Sequence, residues 1–172
     1  MCMRKTTADL QTPSEREQGI EQICLRLLAR REHSRRELLN KLALRGFGRD
    51  EVEPVIEAIA ASNWQNDQRY AECLVRQRLE KGHGPLRIRY ELRQAGIDEV
   101  DLDRLAEEYA GGWQSLLRDV YRNKYGEQPV LTQAEWLKRS RFLQQRGFSA
   151  EMAKALYVEL KIKIRGVSRY LS

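Results

Sequence analysis

The feature that most restricts this chain is an internal repeat. A glycine, a large apolar residue, four variable positions and then apolar residues three apart recur three times. The copies are Gly46-Phe47 with Val52 and Val55, Gly96-Ile97 with Leu102 and Leu105, and Gly147-Phe148 with Ala153 and Leu156. The glycines stand 50 and 51 residues apart. Upstream, Leu38 and Leu42 correspond to Ile88 and Leu92, Leu42 corresponds again to Leu143, and His33-Ser34 falls on His83-Gly84. A period near fifty residues marks a supersecondary unit that buries too little apolar surface alone and leans on its neighbours.

Each unit spells three helices. In the first, Ser14 with Glu17 reads as a capping box before Ile20, Ile23, Cys24, Leu27 and Leu28, which gather on one helical face. Ser34 with Glu37 opens a second helix that Gly46 closes, because glycine takes the left-handed conformation a helix end requires. A third begins near Asp50, with Pro54 close enough to the start to be tolerated. The second unit repeats the plan from about Asp67 to Lys81, from Pro85 to Ala95, and after Asp98. In the third, a helix runs from Trp113 to Tyr125, Thr132 with Glu135 caps the next, and Ser149 starts the last. The fold expected is therefore all-α, three tandem three-helix repeats forming an elongated, curved body. Helices of about 20 Å, at 1.5 Å per residue, would give a length on the order of 70 Å.

The segments follow: a flexible extension over residues 1–13, repeats over 14–64, 65–110 and 111–160, and a basic tail over 161–172. Gly111-Gly112 is the clearest joint. The tail alternates apolar and basic residues through Leu160-Lys161-Ile162-Lys163-Ile164-Arg165, as a strand would. No second strand stands out to pair with it, nor any strand between the glycine landmarks, so a frayed or partner-bound tail is expected.

Catalysis finds no footing in these residues. His33 and His83 occupy equivalent repeat positions, which reads as packing at the start of a helix. There is no phosphate-cradling glycine loop ending in lysine and serine, no nucleophile elbow and no cluster with metal-ligand spacing. Gly82-His83-Gly84-Pro85 reads as a turn into a helix. Cys24 and Cys73 lie in apolar helical stretches and read as small buried hydrophobes, while Cys2 sits in the extension. A non-enzymatic binding protein without metal or cofactor is expected. No apolar run reaches the length of a membrane span and the start lacks the apolar core of a secretory signal, which points to the cytoplasm.

Charge supplies the partner class. Thirty-one basic residues against twenty-five acidic ones leave a net charge of +6, which suits a polyanion or an acidic protein surface. The basic residues are grouped: Arg30-Arg31 with Arg35-Arg36, Arg76 and Arg78 with Lys81, and Lys138-Arg139 with Arg141 and Arg146. Along the helix from Pro85, Arg89 and Arg93 lie together, with Leu86 and Tyr90 nearby and away from the core stripe of Ile88 and Leu92. That pair is either a binding edge flanked by arginines or a packing surface for an adjacent repeat.

Several of these stretches resemble the RecX family. They are Leu28-Ala29-Arg30-Arg31-Glu32-His33-Ser34-Arg35-Arg36-Glu37-Leu38 running on to Gly46-Phe47, then Asn66-Asp67-Gln68-Arg69-Tyr70-Ala71 and Lys81-Gly82-His83-Gly84-Pro85, and finally Lys138 with Arg141-Phe142-Leu143 and Arg146-Gly147-Phe148. They cover roughly residues 18 to 160 in order. The resemblance implies a cytoplasmic bacterial protein that binds in the groove of the RecA filament on single-stranded DNA, and a monomer is expected. It would restrain recombination and the SOS response, and touch single- or double-stranded DNA. A basic nucleic-acid binder acting without RecA is the other reading. Contact candidates are Arg31, Arg35, Arg36, Arg76, Arg78, Lys81, Leu86, Arg89, Tyr90, Arg93, Lys138, Arg139, Arg141 and Arg146.

Overall fold

The computed structural model describes residues 12–165. The extension up to residue 11, with Cys2, and the tail from residue 166 lie outside the described residues. Nine helices follow in order among them: α1 (Pro13–Leu28), α2 (Arg35–Ala43), α3 (Arg49–Ala61), α4 (Asp67–Glu80), α5 (Pro85–Gln94), α6 (Leu102–Ala110), α7 (Trp113–Tyr125), α8 (Gln133–Gln145) and α9 (Ala150–Glu159). Two short strands accompany them, β1 (Val130–Leu131) and β2 (Lys163–Ile164). The chain divides into two compact units, residues up to 73 with 92–100, and residues 74–91 with 101 onward.

In the first unit, α1 and α2 both pack against α3. Their apolar faces meet in a core that includes Ile20, Cys24, Leu38, Leu42, Phe47 and Ile56. The capping box of α1 stands two residues before the one expected at Ser14. The Thr12 hydroxyl accepts from the Glu15 N–H at 3.2 Å, and Glu15 accepts from the Thr12 N–H at 3.1 Å. Pro13 thereby takes the first helical position, where its missing N–H costs nothing.

The repeated glycine-apolar pair is a helix-closing device. Gly46, Gly96 and Gly147 hold φ of +86°, +81° and +93°, a conformation that a Cβ disfavours. The N–H of the next residue then turns back to the helix: Phe47 donates to Leu42 at 3.2 Å, Ile97 to Leu92 at 3.0 Å and Phe148 to Leu143 at 3.1 Å. This bond pattern brings the residue after the glycine onto the last turn, which is why that residue is apolar each time. Phe47 and Phe148 are buried, as are all three leucines.

In the second unit, α9 packs against α7 and α8 as α3 does against α1 and α2, and α6 packs against α7. Here the strand expectations are corrected. Val130 pairs with Lys163 and Leu131 with Ile164, in parallel, so a strand does lie between the glycine landmarks and the tail does find a partner. The Lys163 N–H donates to the Pro129 carbonyl at 2.6 Å and the Arg165 N–H to that of Leu131 at 2.7 Å. Two residues in a loop carry no periodic signal, and β1 takes shape only because the end of α9 delivers its partner. Lys161 makes that turn at φ +50°, the Ile162 N–H reaches back to Tyr157 at 3.2 Å, and Ile162 is buried.

Candidate functional site

The basic residues sort into those tied into the fold and those left to solvent. Arg31 pairs with Glu37 at 2.9 Å and Arg35 with Glu57 at 2.8 Å. Arg36 lays its stem across Gly96 and donates to the Arg93 carbonyl at 3.3 Å. Arg78 and Arg87 share the Glu91 carboxylate, at 2.5 and 3.2 Å. Burial pushes that carboxyl upward, but the hydrogen bonds from the two guanidinium groups outweigh it and hold it below the usual range. Arg93 stands 3.9 Å from Asp98.

Arg139 is withdrawn from the contact candidates. It is 7% exposed, donates to the Tyr121 hydroxyl at 2.8 Å and to Gln128, and lies 4.7 Å from the Tyr125 ring centroid. The repeat register explains this, because Arg139 occupies the core position of Leu38 and Ile88, both fully buried. Tyr121 and Gln128 give the buried cation the hydrogen bonds that make the position tolerable. Arg146 is likewise engaged, donating to the Lys81 carbonyl at 2.7 Å and lying 5.0 Å from the Phe142 ring centroid.

Seven candidates are exposed without such an engagement, whereas Arg31, Arg36 and Arg93 are exposed but held by the contacts above. Arg76, Lys81, Arg89, Lys138 and Arg141 are exposed, and among the described residues none has a carboxylate within ion-pair distance. Leu86 is 51% and Tyr90 63% exposed, so the pair is not packed away: on α5, Leu86, Arg89 and Tyr90 form an outward apolar and cationic face. The helix presents them together because positions three and four apart share a side, while Ile88 and Leu92 on the opposite stripe are buried. Lys124, missed in the sequence, belongs with the exposed cations: its ammonium lies 4.0 Å from the Phe142 ring centroid.

The α5 face is held by an unusual junction at the start of the helix. The Gly84 N–H donates to the Arg146 carbonyl at 2.8 Å and the Leu86 N–H to the Gly147 carbonyl at 3.0 Å. The carbonyls that close α8 thus satisfy the first N–H groups of α5, two sets of orphan groups answering each other. A Cβ on Gly84 would stand 2.5 Å from the Gly147 carbonyl, so the glycine is there for close approach and the turn expected at residues 82–85 doubles as a joint.

His33 and His83 sit just ahead of helices, as expected. His33 is buried with Nδ1 3.0 Å from the Arg31 carbonyl. Burial lowers the pKa of both, and for His83 the neighbouring Arg87, Arg146 and Arg78 add to that while Glu91 opposes it. No cluster of metal-ligating side chains and no helix long and apolar enough to cross a membrane occurs among the described residues.

Family models of RecX match the chain three times in order: the first three-helix domain over residues 22–57, the second over 66–111 and the third over 114–156. The regulatory protein RecX of Halorhodospira halophila is 41% identical over 138 residues, which span 80% of this chain and 86% of that protein. The chain belongs to the RecX family. The RecX of Acidithiobacillus ferrooxidans is 42% identical over 129 residues, spanning 75% of this chain and 82% of its own length. Two solved RecX structures share the fold. One superimposes with a TM-score of 0.69 at 21% identity, covering 95% of this chain and 80% of that one. The other, from Lactobacillus salivarius, does so at 0.63 and 22%, covering 86% and 97%.

Much of what resembles RecX in the sequence serves the fold. Asp67 accepts the Arg35 N–H at 2.8 Å and the Gln65 amide at 2.8 Å, and Gln65 also reaches the His33 carbonyl. Arg69 gathers Glu32, the Asn63 carbonyl and the Trp64 carbonyl within 3.1 Å. These side chains lock the start of α2 to the start of α4.

Proposed function

We propose that the protein restrains the RecA recombinase by lying in the groove of its filament on single-stranded DNA, and so tempers recombination and the SOS response. The observation that carries this reading is the exposed Leu86, Arg89 and Tyr90 face of α5 in a chain of the RecX family. An apolar pair beside an unpaired guanidinium is the composition of a protein-binding anchor, in which aromatic and arginine side chains contribute most. The relatives are named regulatory proteins, which agrees with a binding role without chemistry of its own.

The test is ATP hydrolysis by RecA on single-stranded DNA with this protein added. The rate falls as the protein approaches equimolar amounts, and an unchanged rate at that ratio overturns the proposal. Arg89→Glu combined with Tyr90→Ala leaves helicity and melting as they are, since both side chains are exposed, and lowers the inhibition about tenfold or more, a change of about 1.4 kcal/mol.

A further inference from the structure

We infer that the groove between α7 and α8 is a docking site for an acidic peptide segment carrying an apolar side chain. The groove has a volume of about 620 Å³ and is lined by Lys124 and Tyr125 from α7 and by Leu137, Lys138, Arg141 and Phe142 from α8, with no acidic residue among its walls. Lys124, Lys138 and Arg141 face no carboxylate within ion-pair distance among the described residues, so none of the three charges is neutralised there, although Lys124 also rests over the Phe142 ring. Leu137 is an exposed apolar residue in the same lining.

Two observations choose a peptide over a nucleic acid. Binding of single strands relies on aromatic faces against which bases stack. Here the rings are engaged by the protein's own cations: Phe142 carries Lys124 at 4.0 Å and Arg146 at 5.0 Å, and Tyr125 carries Arg139 at 4.7 Å. An exposed leucine, in turn, offers nothing to a phosphodiester but is a suitable anchor for an apolar side chain flanked by carboxylates. The repeat supports the assignment. Leu137 occupies the position of Leu86, and Arg141 that of Tyr90, whereas the first repeat has Arg36 and Asn40 there. At this repeat position an outward leucine is therefore shared by the second and third repeats and absent from the first.

The full chain is titrated, by fluorescence anisotropy, into three labelled probes: a short aspartate- and glutamate-rich peptide with one central leucine, the same peptide with serine for leucine, and an oligothymidylate of equal charge. The leucine peptide binds most tightly and its affinity falls as salt rises, because exposed charges are screened. Lys138→Glu with Arg141→Glu weakens it about tenfold, and Leu137→Ser reduces the leucine peptide to the affinity of the serine one. Arg89→Glu leaves it unchanged. All these side chains are exposed, so unchanged melting confirms that each variant is folded. Oligothymidylate binding as tight as the leucine peptide and lost in the same charge-reversal variant overturns the inference in favour of a nucleic-acid groove. Leucine-peptide affinity unmoved by either groove variant overturns it outright. No recombinase enters this experiment, so it can fail while the α5 proposal stands, and the reverse.

Discussion

The second helix of the first repeat and that of the second repeat begin in different ways. At α2, side chains do the capping: Ser34 accepts the Glu37 N–H at 3.1 Å and Asp67 accepts the Arg35 N–H at 2.8 Å. At α5 there is no capping side chain, and the carbonyls of Arg146 and Gly147 take over. The same repeat position, Ser34 in one copy and Gly84 in the other, has exchanged a local cap for a long-range one. Equivalent positions in a repeat can thus carry the same duty with parts drawn from different distances along the chain. The start of α5 depends on residues more than sixty positions away, so the face bearing Leu86, Arg89 and Tyr90 is oriented by the third repeat.

The sharpest way to break this comparison is Gly147→Ala. Its φ of +93° strains any side chain, and its Cβ would meet the Arg87 N at 2.6 Å. Strain and overpacking together should cost about 4 kcal/mol in urea unfolding. Gly84→Ser comes next. By local sequence logic it installs the cap that α2 has and should stabilise by a few tenths of a kcal/mol, since glycine is itself a fair N-cap. By the geometry it should instead cost about 2 kcal/mol, because the new Cβ points at main chain that cannot swing aside. A stabilised Gly84→Ser variant would mean that the α8 carbonyls do not serve α5.

Ser34→Ala, at the local cap, should cost only about 1 kcal/mol. If it costs as much as Gly147→Ala, the two modes of capping are energetically alike and the distinction has no force.

The smallest effect concerns pH. His83 precedes Gly84 and its pKa is lowered from 6.5 by burial, then by Arg87, with Arg146 and Arg78 also lowering it and Glu91 opposing. A group depressed in the fold lets the unfolded chain take the proton first, so stability is lost as pH falls below the ordinary histidine value toward the lowered one. Replacing His83 with Gln should flatten part of that slope between neutral pH and about pH 5, measured by urea midpoints. His33, whose pKa is lowered in the same direction, contributes to what is left, and carboxylates held below their usual range such as Glu91 add to it toward the acid end.

The helices are readable because their signals are local. The spacing of Leu38 and Leu42, the Thr132 and Glu135 cap and the glycine closures all act within a turn or two, and each is present as expected. The α1 cap lies two residues from its expected place because Ser14 and Glu17 satisfy the same pattern as Thr12 and Glu15, and only the backbone chooses between them. Burial of Arg139 is legible in the register, since it shares a column with Leu38 and Ile88, but the strength of the basic pattern around it hides the fact.

By itself the sequence determined that this chain is three copies of a three-helix unit of the RecX type, because periodic apolar residues and caps are decided by neighbours along the chain. Which of the basic candidates stay exposed and unpaired, the pairing of β2 with β1 and the close approach of Gly84 to Gly147 were settled only by the folded chain. Those outcomes depend on which surfaces meet across tens of residues, where the gain from burial and hydrogen bonding is set by contacts that no local pattern records.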